Sequence, residues 1–281
     1  MPELPEIEVI KRDLEKEVVG RRVKEVEVRP GSNAMKIIRR HGRRKEFQDL
    51  LVGTKVEMID RAGRYLGLHL EDDKVLVVNL GEKGLLLKTS AGDALASHTH
   101  VVIGFTIGGQ LRIVDPKMNG EVFVATKEEF EKLRVEDTAI DPLDNRPFTW
   151  QQFSALLEGG HKPMKELLMD ERFFCGLGNL YSDEVLFSAG IRFDRASSTL
   201  TSQDVRRLYR ALMEIVQDAV KARGTSWGEI EFKDLQGDPG QYQLELKVYE
   251  REGEACRRCR HEIVKEQVGD DYTYFCPQCQ S

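Results

Sequence analysis

Nowhere does this 281-residue chain approach the ~18 uninterrupted apolar residues of a membrane-spanning helix, so it does not read as a helical membrane protein. Its start, MPELPEIEVIKRDLEKE, lacks the apolar run after a basic beginning that marks a secretory signal. Internal repeats and low-complexity tracts are absent, which excludes repeat architectures. Aromatic residues are scarce at 7%, but 40% hydrophobic residues are enough for a sizeable core and too many for a disordered chain. An excess of positive charge is also missing. With 42 Lys and Arg against 48 Asp and Glu the net charge is −6, unlike the basic domains that usually bind nucleic acid. Net charge is an average, however, and a local basic stripe can still bind phosphates. Cysteine is sparse: the chain has five, Cys175, Cys256, Cys259, Cys276 and Cys279. An odd number, mostly clustered, argues against a disulfide scaffold and for a reducing, intracellular setting, taken here as cytoplasmic.

The length suggests one or two domains. Pro5 suits a first helical turn, and Ile7, Ile10, Leu14 and Val18 form one apolar face of a leading helix that Gly20 can stop. Short strand-like runs follow at 23–28, 66–70, 75–80, 100–107, 111–115 and 121–125, separated by Gly or Asp clusters. Such spacing predicts an antiparallel sandwich or barrel. Residues 135–147, with Asp137, Asp141, Pro142, Asp144, Asn145 and Pro147, read as an acidic linker. Helical periods then dominate, at 150–160, 163–174, 180–190 and 201–224. The tail from Tyr249 reads as short strands around the cysteine pairs.

Those pairs, Cys256-x2-Cys259 and Cys276-x2-Cys279 with sixteen residues between them, predict a zinc site. Four thiolates close a tetrahedron, leaving no position for substrate water, so one structural Zn2+ is expected. Two disulfides or a redox dithiol are the alternatives, and Cys175 reads as a packed core thiol. The run KIIRRHGRRK (36–45) is either a phosphate-binding patch or a solvated loop. In CGLGNLYSDE (175–184), Gly176 and Gly178 permit a tight turn before Asn179 at a helix start, which suits either an anion site or simple capping.

The N-terminus adds chemistry. Removal of Met1 would leave Pro2 with a free secondary amine, able to attack an electrophilic carbon and form an iminium ion. An α-amino pKa near 8 keeps a usable neutral fraction. Glu3 and Glu6 place two carboxylates beside it.

With PELPE at the start, RAGRYL (61–66), DPKMNG (115–120), KELLMD (165–170), GLGNLYSDEVLFSAGI (176–191), PGQYQLELKVYEREGEAC (239–256) and the closing FCPQCQ, the chain resembles the formamidopyrimidine-DNA glycosylase family, shared with endonuclease VIII. The resemblance covers essentially the whole chain. It implies an α+β multidomain protein: a leading helix and antiparallel β-sandwich (1–134), the linker (135–148), a helix–two-turn–helix domain (149–248) and a four-cysteine zinc finger (249–281), with DNA lying between the domains. It implies a bifunctional base-excision enzyme of the bacterial nucleoid, a monomer without a membrane anchor, whose partner is damaged DNA. Pro2 would attack C1′ of an extruded nucleotide, Glu3 would move protons at the sugar, and Lys165 would be the catalytic lysine. Arg64, Asn179, Lys117, Glu6 and Tyr181 would bind DNA.

Departures are concentrated where family members open DNA. The Met, Arg and Phe that fill the hole left by the flipped base correspond here to Glu82, Lys117 and Asn119. Arg64 stands for a lysine, Asn79 for a histidine, and Asp271, beside Asp270, for an arginine of the zinc finger. These changes predict weaker duplex binding and non-standard lesion choice. The competing readings are a damaged-DNA or single-strand binding protein that has lost its chemistry, and a zinc-ribbon scaffold for protein partners.

Overall fold

A computed structural model describes residues 2–30, 34–136, 139–144, 148–158, 161–228 and 230–281. The chain divides into two compact units, residues 1–136 with 222–241, and residues 137–221 with 242–281.

The first unit begins with α1 (Leu4–Glu17), whose apolar face, including Ile7, Ile10 and Leu14, is buried. Two four-stranded antiparallel sheets follow. One runs β1 (Val23–Val28), β6 (Thr99–Phe105), β7 (Gln110–Val114), β5 (Leu85–Thr89); the other runs β2 (Val56–Ala62), β3 (Tyr65–Leu70), β4 (Lys74–Asn79), β8 (Glu121–Thr126). Together they are the antiparallel sandwich that the strand spacing predicts. The second sheet is sealed by α4 (Lys127–Glu136): Phe130 packs with Ala62, Val75, Val77, Phe123 and Ala125. The fit is close at Gly67, where an added Cβ would lie 2.5 Å from the Phe130 ring. α4 also occupies 135–136, where a linker is expected. Residues 137–138 and 145–147 of that linker lie outside the described residues.

Two further helices, α2 (Ala34–Ile37) and α3 (Arg44–Leu51), take up the basic run. Its first half is structural. Arg39 and Arg40 both donate to the buried Glu121 carboxylate at 3.0 and 2.9 Å, and Arg40 lies over the Phe123 ring. Burial works against that carboxylate's charge, but the two guanidiniums outweigh it and hold Glu121 below the usual range. His41 is buried and accepts the Val124 N–H. Arg43 and Lys45 remain exposed.

In the second unit, α5 (Trp150–Glu158), α6 (Met164–Met169), α7 (Asn179–Ala189) and α8 (Ser202–Lys221) replace strands. α8 buries Val205, Leu208, Leu212, Ile215, Ala219 and Val220, the stripe read from its period. The helix expected over 163–174 stops at Met169. Asp170 causes this: its carboxylate accepts the Arg172 N–H and its carbonyl the Phe173 N–H, which turns the chain. The hairpin of β9 (Val264–Val268) and β10 (Asp271–Phe275) closes the unit. Residues 222–241, expected to continue the second domain, instead pack with α1. There Arg223 bridges Asp13 and Asp234.

Candidate active site

Pro2 and Glu3 sit at the mouth of α1, where Glu3 and Glu6 form a reciprocal capping box. The Glu3 N–H donates to one Glu6 carboxylate oxygen at 2.9 Å, and the other accepts the Thr225 N–H at 2.9 Å. Gly224 must be glycine on two counts: its φ is +78°, and a Cβ would lie 2.9 Å from the Glu6 side chain. Glu6 is therefore buried and anchors the returning segment to the N-terminus. Glu6, expected to bind DNA, here accepts two backbone N–H groups. Sequence reasoning passed over the segment 224–232 altogether. Its Ile230 and Phe232 line a pocket of about 20 Å³ together with Pro2, Glu82, Lys83 and Glu231.

Glu82 belongs to the β4–β5 loop, and Lys117 and Asn119 to the β7–β8 loop. The two loops are locked together. Asn119 Oδ1 accepts the Glu82 N–H at 3.0 Å, and Lys117 Nζ lies 2.5 Å from a Glu82 carboxylate oxygen. The Asn79 side chain accepts the Gly81 N–H, and a Cβ on Gly81, whose φ is +61°, would fall 2.3 Å from Asn119 Oδ1. Buried Asp115 shapes the second loop by accepting the N–H groups of Lys117, Met118 and Gly120. Hydrogen bonding to Lys117 holds the Glu82 carboxyl below its ordinary range. The three departures thus make one preorganised polar cluster. Arg64 is half-buried in the turn between β2 and β3. Its neighbour Arg61 is the structural one, buried against Glu8 of α1 at 3.1 Å.

In the second unit, Gly176 turns with φ +66° and Gly178 caps α7, so Asn179 starts the helix. Asn179 Oδ1 is buried without a hydrogen-bond partner among the described residues. Lys165 does not project to solvent. It is 2% exposed, and its Nζ donates to the Asn179 carbonyl and to Asp183 Oδ1, both at 2.7 Å. Asp183 in turn accepts the Tyr274 N–H and the Thr273 hydroxyl from the hairpin. Burial pushes the Asp183 carboxyl up and the Lys165 ammonium opposes the rise. Lys165, expected to be the catalytic lysine, is thus held here against the backbone at the start of α7. Tyr181, expected to bind DNA, is 1% exposed, and its ring packs against Tyr242 in the core. Glu184 is fully buried and accepts the N–H groups of Lys247, Val248 and Tyr249, fixing the entry to the zinc finger. Asp271 is exposed at the hairpin tip, where it lines a cavity of about 450 Å³ with Lys162, Lys165, Arg172 and Tyr272.

The four sulfurs of Cys256, Cys259, Cys276 and Cys279 lie within 4.8 Å of one another. Cys256 to Cys279 is 3.9 Å and Cys259 to Cys276 is 3.4 Å. Tetrahedral thiolates about 2.3 Å from zinc stand roughly 3.8 Å apart, so the donor set fits one structural zinc ion. None of the four is in a disulfide, and neither is Cys175, which is a buried thiol.

Three family models match consecutive parts of the chain: the formamidopyrimidine-DNA glycosylase N-terminal domain over residues 1–122, the H2TH domain of the same glycosylase over 138–230, and a zinc finger found in FPG and IleRS over 253–281. The formamidopyrimidine-DNA glycosylase of Pelotomaculum thermopropionicum is 34% identical over 281 residues, covering 100% of this chain and 99% of that protein. That of Moorella thermoacetica is 38% identical over 92% of each chain. Among solved structures, the Lactococcus lactis Fpg complexed with abasic-site DNA superposes with a TM-score of 0.89 at 29% identity, covering 99% of both chains. The MutM (FPG) protein of Thermus thermophilus gives 0.85 at 31% identity, covering 99% of this chain and 98% of that one.

Proposed function

The chain belongs to the formamidopyrimidine-DNA glycosylase family, and from that membership we propose that it removes damaged bases from DNA in base-excision repair and cuts the strand at the abasic site. The observation that carries this reading is the N-terminal construction: Pro2 lines a pocket, and the Glu3–Glu6 box fixes it at the mouth of α1.

In the proposed reaction, removal of Met1 exposes the Pro2 amine. Its nitrogen bonds to C1′ as the bond from C1′ to the base breaks, and the base leaves with a proton. Glu3 delivers a proton to the ring oxygen, the C1′–O4′ bond opens, and the nitrogen becomes an iminium cation. The iminium acidifies the C2′ proton. Loss of that proton expels the 3′ phosphate, and a second elimination expels the 5′ phosphate. Asn179, at the start of α7, would hold a phosphate, with Arg64 and Lys117 supplying further positive charge. Lys165 serves by holding the Asn179 carbonyl. One zinc ion would stiffen the hairpin without entering the reaction.

Lesion choice is the proposed departure. A Glu82–Lys117–Asn119 cluster is a poor wedge between stacked bases, because a carboxylate there meets phosphate repulsion. Substrates that need little opening, such as abasic sites and already unpaired lesions, should be preferred. Borohydride trapping on oligonucleotides carrying an abasic site, 8-oxoguanine, a formamidopyrimidine or an oxidised pyrimidine tests the reading. A Pro2-dependent adduct on at least one supports it. No adduct, with Met1 shown to be removed, would favour a damaged-DNA binding protein without chemistry.

A further inference from the structure

We propose that Glu82, ion-paired to Lys117, is an electrostatic positioning residue of the Pro2 pocket that stabilises positive charge on the Pro2 nitrogen. The inference rests on the covalent reading given above. The pocket that Pro2 and Glu82 share holds about 20 Å³, room for roughly one water, while the Glu82 side chain is itself half exposed, so its charge reaches the nitrogen partly screened. Ile230 and Phe232 form its apolar side and limit that screening from one flank.

The charged groups around it do not cancel. Glu6, on α1, is committed to the Glu3 and Thr225 N–H groups, and Glu8, further along, to Arg61. Lys83 and Glu231, both on the pocket wall, pair with each other at 3.9 Å. Glu82 also lines the pocket, whereas its partner Lys117 lies outside it. Glu82 therefore places negative charge on the pocket wall beside Pro2. Asn119 fixes the Glu82 backbone, and the hydrogen bond from Lys117 lowers the Glu82 carboxyl further below its ordinary range, so the charge is in place before substrate arrives. Such a charge favours the ammonium of the resting amine and the iminium of the intermediate alike.

The test is the pH dependence of single-turnover trapping with cyanoborohydride, on saturating DNA with a central abasic site. The acid limb reports deprotonation of the Pro2 amine. Glu82→Gln removes that charge, so the limb moves to lower pH by about half a unit to one unit. Lys117→Met strips the carboxylate of its counter-charge, so the limb moves to higher pH. A merely structural role would change the amount of adduct and leave both limbs in place. Adduct formation with unshifted limbs, or limbs shifted in the same direction, overturns the proposal alone. No adduct from the native chain at any pH overturns the covalent reading and this inference with it.

Discussion

Replacing Lys165 by Met separates two roles for this lysine. If it meets a DNA phosphate, it contributes to counterion release, and its loss lowers the slope of log affinity against log salt by about 0.9. If it is the buried strut seen here, removing it leaves Asp183 enclosed without its cation. Losing one partner of a buried pair costs about 3–5 kcal/mol. Asp183 keeps the Tyr274 N–H and the Thr273 hydroxyl, and burial already pushes its carboxyl toward protonation, so the lower end of that range is expected. At a urea m-value of about 2 kcal/mol/M this is a fall in midpoint of roughly 1–2 M. Urea unfolding, combined with fluorescence anisotropy on abasic-site DNA at several salt concentrations, reads both effects. The expected result is a lower midpoint and weaker binding with an unchanged salt slope. Adding Asp183→Asn should restore part of the stability. A slope reduced by about one with an unchanged midpoint would refute the buried-strut argument.

Zinc analysis should find one ion per chain, and Cys276→Ser should lose it and disorder the hairpin, seen as loss of amide protection over β9 and β10. A metal-free chain with a fully protected hairpin would contradict the site. Asp170, held well below the ordinary carboxylate range by Arg172 despite partial burial, with Lys162 assisting, should stabilise the second unit at neutral pH. Because its folded value is depressed, that contribution is constant between pH 7 and 5 and is lost as pH falls below about 4. Asp170→Asn should flatten this part of the thermal-stability profile, and an unaltered profile would count against it. Asp271→Arg should strengthen duplex binding and steepen the salt slope by about 0.9. If neither changes, the hairpin tip does not approach a phosphate.

What could be read in advance was whatever rests on period, spacing or turn chemistry. α8 announces itself because its apolar residues recur at helical intervals, and the zinc site because two CxxC pairs need only a hairpin between them. β2 escaped because exposed Met58 interrupts its alternation, and β5 because only one of its residues, Leu86, is buried. The return of residues 222–241 to the first unit was hidden for a different reason. It depends on Arg223 reaching Asp13 and on Thr225 reaching Glu6, contacts some 210 residues apart in sequence that no local pattern encodes. Motif matching located Lys165 and Tyr181 but could not tell an exposed side chain from a buried one. Their burial follows from Asp183 and Tyr242, partners supplied by other elements. The Glu82–Lys117 pair was visible only as two departures. That they pair with each other required the two loops to be brought together.

The central claim is covalent chemistry at Pro2. The measurement that tests it most directly is mass spectrometry of the borohydride-reduced adduct with abasic-site DNA, digested to locate the modified peptide. The account predicts that Met1 is absent and that the sugar remnant sits on the Pro2 nitrogen, with no adduct from a Pro2→Gly chain beyond a slower residual reaction of its own amine. An adduct mapped to a lysine side chain, or none on correctly processed protein, would contradict it.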